Sequence, residues 1–159
     1  MKYQIKENFL DEGAFKFMAM QFMGHQLPWY YQAGVSKYND NDMYFTHLFY
    51  SEHEWEGAKQ LVQPLLDALE PKGLIRVKAN LYPRSQKLIT HKFHADKEYT
   101  HTSALLYINT NNGFTILEDG TKIESVANRM ITFPTNMKHR GTSCTDERIR
   151  IVINFNYFK

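Results

Sequence analysis

From residue 74 to the C-terminus the chain is a succession of short apolar runs, each closed by turn chemistry before it reaches helical length. The runs cover residues 74–81, 87–94, 103–109, 114–118, 121–125, 130–133 and 149–158. Between them stand Pro83-Arg84-Ser85, Asn111-Asn112-Gly113 and the hairpin signal Asp119-Gly120. Strands this short and numerous bury enough surface only as facing sheets, so this half reads as a sandwich or jelly roll.

The first 71 residues differ. Phe15, Met18 and Phe22, with Phe17 and Met20, recur at helical spacing over residues 9–23, after a capping Asp11 and before Gly24 and Pro28. A second helix is expected over residues 54–70, with Leu61, Val62, Leu65, Leu66 and Leu69 on one stripe. Pro64 within it implies a kink or a later start. Trp29-Tyr30-Tyr31 reads as a short extended piece forming a hydrophobic lid, and residues 44–50 as an aromatic strand. The expected architecture is α+β: a double-stranded β-helix (jelly roll) with N-terminal helices packed on one sheet, residues 1–159 making a single domain.

Composition narrows the partners. The 159 residues are 43% hydrophobic and carry a net charge of +2, so the chain is globular and no basic stripe calls for nucleic acid. No apolar run reaches membrane-spanning length. The lone cysteine, Cys144, and an N-terminus without a secretory pattern favour a cytoplasmic protein.

Phe93-His94-Ala95-Asp96 places an imidazole and a carboxylate two residues apart, on one face of a strand. With His139 they would make a two-histidine, one-carboxylate face, which suits Fe(II) and leaves coordination positions open. The spacing alone is weak evidence, since seven histidines and seven aspartates give roughly 0.3 such pairs by chance. Arg150 heads the run Ile151-Val152-Ile153-Asn154-Phe155-Asn156-Tyr157, whose alternation puts Arg150, Val152, Asn154 and Asn156 on one face. A guanidinium turned inward needs an anion, and a carboxylate suits its planar fork. Arg148 shares the parity and is the rival anchor. His91 reads as exposed; His101, on a loop, could approach the site. Arg76, Lys78 and Arg84 read as a solvated basic face.

These residues together resemble the 2-oxoglutarate/Fe(II)-dependent dioxygenases, in particular the prolyl 4-hydroxylase-like branch, and look like small phage-encoded members. The resemblance covers residues 74–158. It runs through Ala79-Asn80-Leu81-Tyr82-Pro83, the His94/Asp96 pair, Leu105-Leu106-Tyr107-Ile108-Asn109, Gly113-Phe114-Thr115-Ile116-Leu117, the Phe133-Pro134 step before His139, and Arg150 with Asn154. It implies Fe(II) held by His94, Asp96 and His139. It also implies 2-oxoglutarate anchored by Arg150, with Tyr107 supporting the far carboxylate and Tyr82 touching the co-substrate. With O2, such an enzyme hydroxylates an unactivated C–H bond, here of a protein side chain such as proline, a nucleobase or a small molecule, and releases succinate and CO2. The location would be the host cytoplasm for a phage-encoded protein. The competing reading is a non-catalytic jelly-roll binding or structural module that retains a metal site. A cupin would present His-x-His where Asp96 stands.

Overall fold

The computed structural model describes residues 3–34, 43–96 and 99–159. Lys97 and Glu98, in the polar stretch after Asp96, lie outside the described residues.

In chain order the elements are β1 (Gln4–Lys6), α1 (Glu12–Met23), β2 (Tyr30–Gln32), β3 (Tyr44–Ser51), β4 (Glu54–Trp55), α2 (Lys59–Leu69), β5 (Gly73–Pro83) and β6 (Thr102–Tyr107). There follow β7 (Phe114–Leu117), β8 (Lys122–Glu124), β9 (Met130–Pro134), β10 (His139–Gly141) and β11 (Ile149–Phe158). Among the described residues, the major sheet runs β1-β9-β6-β11-β5-β3-β2, with β4 pairing β3, and the minor sheet runs β10-β7-β8. All pairings between these strands are antiparallel. The two sheets face one another without closing into a barrel, which is the expected jelly roll with helices on one sheet.

Strand alternation builds two cores on the two faces of the major sheet. Ile151, Ile153, Phe155 and Tyr157 of β11, Val77 and Ala79 of β5, and Ala104 and Leu106 of β6 point to the helices. There they meet Met18 and Phe22 of α1 and Val62 and Leu65 of α2. The opposite face carries Leu105, Tyr107, Ile131, Phe133 and Val152, packed on Leu117 and Ile123 of the minor sheet. Each fully buried side chain of this kind contributes roughly 1.5–3 kcal/mol.

Asp11 caps α1, its carboxylate accepting from the amides of Gly13 (2.9 Å) and Ala14 (3.2 Å). Of the two apolar stripes on this helix, Met18 and Phe22 are buried while Phe17 and Met20 are exposed. The second helix begins at Lys59, later than expected, because Glu54 and Trp55 pair with Ser51 and Tyr50. Glu52 and His53, both at positive φ (50° and 70°), make the tight reversal of that hairpin. Pro64 stays inside α2, where it cannot donate to the Gln60 carbonyl. Trp29, expected with Tyr30 and Tyr31 as a lid, packs edge-on against Phe22 beside the helix-facing core, while Tyr30 and Tyr31 are exposed on β2.

Residues 87–94, expected as a strand, are irregular, with isolated bridges at Thr90–Thr142 and His94–His139. The segment follows β10 through single contacts, His91 N–H to the Gly141 carbonyl (3.0 Å) and Ser143 N–H to that of Ile89 (2.9 Å), rather than through a ladder. His91, expected exposed, is buried and stacked on Tyr82 (5.1 Å).

Candidate metal centre

His94 and His139 face each other across an antiparallel bridge, each amide donating to the other's carbonyl at 3.0 Å. Residues directly opposed in such a pair send their side chains to the same face. Their rings lie 4.6 Å apart. Asp96, two residues on, joins them, and one ligand atom from each of the three lies within 4.8 Å of the others. Donors bound at ~2.1 Å and at right angles stand about 3 Å apart, so small side-chain rotations complete the face. Two imidazoles and one carboxylate are the donor set of ferrous oxygenase sites. The triad arises from a cross-strand pair plus an i, i+2 step, although no regular strand carries the step.

Asp96 is held on both oxygens. Oδ1 accepts from Arg76 Nη2 at 2.9 Å and Oδ2 from Asn154 Nδ2 at 3.0 Å, with Ser103 Oγ 3.4 Å from Oδ2. The row continues through Asn156, which donates to Asn154 Oδ1 (2.6 Å) and accepts from Ser103 (3.0 Å) and from His101 Nε2 (2.9 Å). Because a carboxylate only accepts, Asp96 orients the Asn154 amide, and that amide orients Asn156; His101 spans the Tyr99 carbonyl at Nδ1 (2.9 Å) and Asn156 Oδ1 at Nε2. His101, expected as a loop residue near the site, thus buttresses the ligand three groups away. Burial opposes the Asp96 charge, but His139, Arg76 and the Asn154 amide outweigh it and hold the carboxyl well below its usual range. Burial pushes His139 down to about 4, against the pull of Asp96, so its imidazole is neutral at neutral pH, as a ligand must be. Its Nδ1 is buried without a hydrogen-bond partner.

The triad lines a pocket of about 50 Å³, with Tyr44, Lys78, Asn80, Tyr82, Leu105, Thr115, Arg150, Val152 and Asn154 on its walls. Arg150 is 1% exposed, whereas Arg148 is exposed on the loop before β11. The Arg150 guanidinium lies 5.5 Å from the centre of the Tyr82 ring and 5.6 Å from that of Tyr107. Its Nε donates to Ser125 Oγ (2.8 Å) and its Nη2 to Thr115 Oγ1 (3.3 Å), with no carboxylate among these contacts. Burial lowers its pKa. Tyr82 is on the pocket wall; Tyr107 stands behind it, its hydroxyl donating to Thr115 Oγ1 at 2.8 Å.

Sequence reasoning missed Arg76 and Lys78, read there as a solvated face. Arg76 pairs with Asp96, and Lys78 is on the pocket wall. Strand parity held the signal: Arg76, Lys78, Asn80 and Tyr82 alternate with Val77, Ala79 and Leu81, so they share the face of Tyr82. Arg140, which had no assignment, stacks over Phe93 at 4.3 Å.

No family model and no curated protein matches the sequence. Solved structures do match. A prolyl hydroxylase from Trichoplax adhaerens, in complex with a hypoxia inducible factor peptide, aligns with 98% of this chain and 83% of its own (TM-score 0.72, 14% identity). A viral collagen prolyl hydroxylase of Paramecium Bursaria Chlorella virus-1, in its 2-oxoglutarate complex, aligns over 98% and 95% (TM-score 0.69, 12% identity). A non-haem α-ketoglutarate-dependent epimerase of nogalamycin biosynthesis aligns over 99% and 77% (TM-score 0.69, 11% identity). At these identities the likeness establishes the fold, the jelly roll on which such oxygenases are built.

Proposed function

We propose that the chain is an Fe(II)- and 2-oxoglutarate-dependent dioxygenase that hydroxylates an unactivated C–H bond and releases succinate and CO2. One observation carries the reading: two histidines and an aspartate converge on the wall of a pocket that also holds a buried arginine with no acidic partner among the described residues. Arg150 is the fitting partner for the far carboxylate of the co-substrate, clamped between two tyrosine rings that fix the plane of its fork. Thr115, hydrogen-bonded to both Tyr107 and Arg150, passes the position of one to the other. Tyr107 therefore acts on the co-substrate through Thr115 and Arg150, whereas Tyr82 can touch it directly.

His94, Asp96 and His139 would hold the ferrous ion, which when bound supplies the oxygen-activating chemistry. Arg76, Asn154 and Ser103 keep the carboxylate aimed, the role that hydrogen-bonded neighbours of metal ligands commonly have. A protein side chain such as proline is the substrate class favoured by likeness to prolyl hydroxylases, while the epimerase on the same fold shows how little the fold alone restricts it. Among the described residues no helix is long and apolar enough to cross a membrane. A reducing cytoplasm suits the free Cys144.

Anaerobic Fe(II) with 2-oxoglutarate should give the weak visible charge-transfer band of the chelate. Arg150→Ala should weaken 2-oxoglutarate binding while iron still binds. Iron binding by the wild type without that band would leave the jelly roll a binding module, and loss of co-substrate binding in Arg148→Ala alone would move the anchor.

A further inference from the structure

We propose that the substrate carries an anionic group, a carboxylate or a phosphate, and that Lys78 is the residue that binds it. The inference rests on the oxygenase reading and adds a substrate class to it.

The geometry separates two ends of one pocket. On β11, Arg150 and Asn154 share a face four residues apart, a separation of ~13 Å along the strand. Arg150 pairs in register with Tyr82, and Asn154 with Lys78. Asn154 is the residue that bonds Asp96. The metal ligand therefore lies toward the Lys78 end, and the co-substrate anchor lies at the other. A co-substrate stretched from Arg150 to the ligands reaches the end of the pocket where Lys78 stands level with Asn154, beside the metal ligand, and where a second molecule would present its C–H bond.

Among the described residues Lys78 makes no ion pair there, and Asp96 attracts it only from a distance. Asp96 is the only carboxylate on the wall among the described residues, and Arg76 and Asn154 already engage its two oxygens. The contact found for the ammonium is the face of Tyr44, 5.8 Å from the ring centre. Burial, and then repulsion from Arg76, lower the amine to about 8 against the weaker pull of Asp96, so a further anion would relieve a charge held at a cost. A divalent ion and a dianionic co-substrate offset each other, and Asp96 offsets Arg76. The pocket keeps a surplus of positive charge, and Lys78 is half-buried where Arg150 is fully buried. A neutral substrate would leave that charge buried beneath it.

The test uses the full chain loaded with Mn(II) and 2-oxoglutarate under argon. Acetate and inorganic phosphate are titrated by calorimetry into the wild type and into Lys78→Met, which keeps the length of the side chain without its charge. Saturable binding of one anion, weakened about tenfold or more in Lys78→Met, supports the proposal, and the anion that binds names the group. Absence of binding, or equal binding by both proteins, overturns it. The Fe(II) charge-transfer band is measured first in both. Its absence from the wild type refutes the oxygenase reading and this proposal with it, whereas its presence without anion binding refutes Lys78 alone. In turnover, acids paired with their own amides should divide, with succinate release stimulated by the acid member; equal stimulation by the amides also overturns it.

Discussion

Gly113 leaves the room that the Arg150 side chain occupies. A Cβ there would lie 2.6 Å from Arg150 Cδ and 2.6 Å from the Ser143 carbonyl oxygen, neither of which can retreat freely. Gly113→Ala should therefore destabilise the protein by about 1–3 kcal/mol in urea melts. It should also shift the guanidinium, so that 2-oxoglutarate binds more weakly while metal affinity holds. Unchanged co-substrate affinity would mean that the arginine tolerates displacement or does not anchor. Arg76 makes the opposite kind of prediction. Arg76→Met leaves a buried carboxylate short of its cation, at a cost of roughly 3–5 kcal/mol to the metal-free protein. A divalent ion restores the missing charge, so the rise in Tm on adding Mn(II) should exceed that of the wild type. An equal or smaller rise would show that Arg76 is required to aim Asp96 for the metal.

At the scale of elements, the stretch from β1 into α1 is held by Asn128 in addition to the β1–β9 pairing and the Arg129–Glu7 ion pair. Asn128 accepts from the Leu10 amide and donates to the Leu10 carbonyl, both at 2.9 Å, while its own carbonyl accepts from the Phe9 amide. It sits at φ 62°, a conformation asparagine tolerates better than most residues. Asn128→Ala should cost about 2–4 kcal/mol, from two lost buried hydrogen bonds and added backbone strain. Hydrogen exchange should speed most at Phe9, Leu10 and the start of α1; uniform acceleration across the major sheet would instead indicate global destabilisation. Legibility also varied by element. Strong alternation made β11 readable to within its ends, and Asp11 marked the start of α1. The three residues of β10, His139–Gly141, have no strand propensity of their own and form a strand only by pairing with β7. The apolar look of residues 87–94 suggested a strand that the structure does not form, because their partner β10 is too short to ladder with them.

For the molecule as a whole, acid is the expected weakness. His139 binds its proton at about 4 in the folded chain and near 6.5 when unfolded, and Asp96 is lowered as well. Both take up fewer protons folded than unfolded. Their contribution is complete above the unfolded values and is lost as pH falls toward the folded ones. Between neutrality and about pH 4.5, His139 alone should remove on the order of 2–3 kcal/mol from the metal-free protein. Urea melts across that range should show the decline, and His139→Gln should flatten it; an identical slope in the variant would place the acid sensitivity elsewhere.

Read alone, the chain determined the periodicities: which residues of each strand share a face, which faces are apolar, and the order in which an imidazole, a carboxylate, a second imidazole and an arginine follow one another. Those are local properties, set by a backbone that turns its side chains over at every residue. Register is not local. That His94 faces His139, that Lys78 lies beside Asn154, and that Arg76 reaches back to Asp96 each depend on how two distant segments slide past one another. Only the packing of both cores against the major sheet settled that, since a slip of one residue would have turned Arg150 and Asn154 into the helices and Ile151 and Ile153 into the pocket.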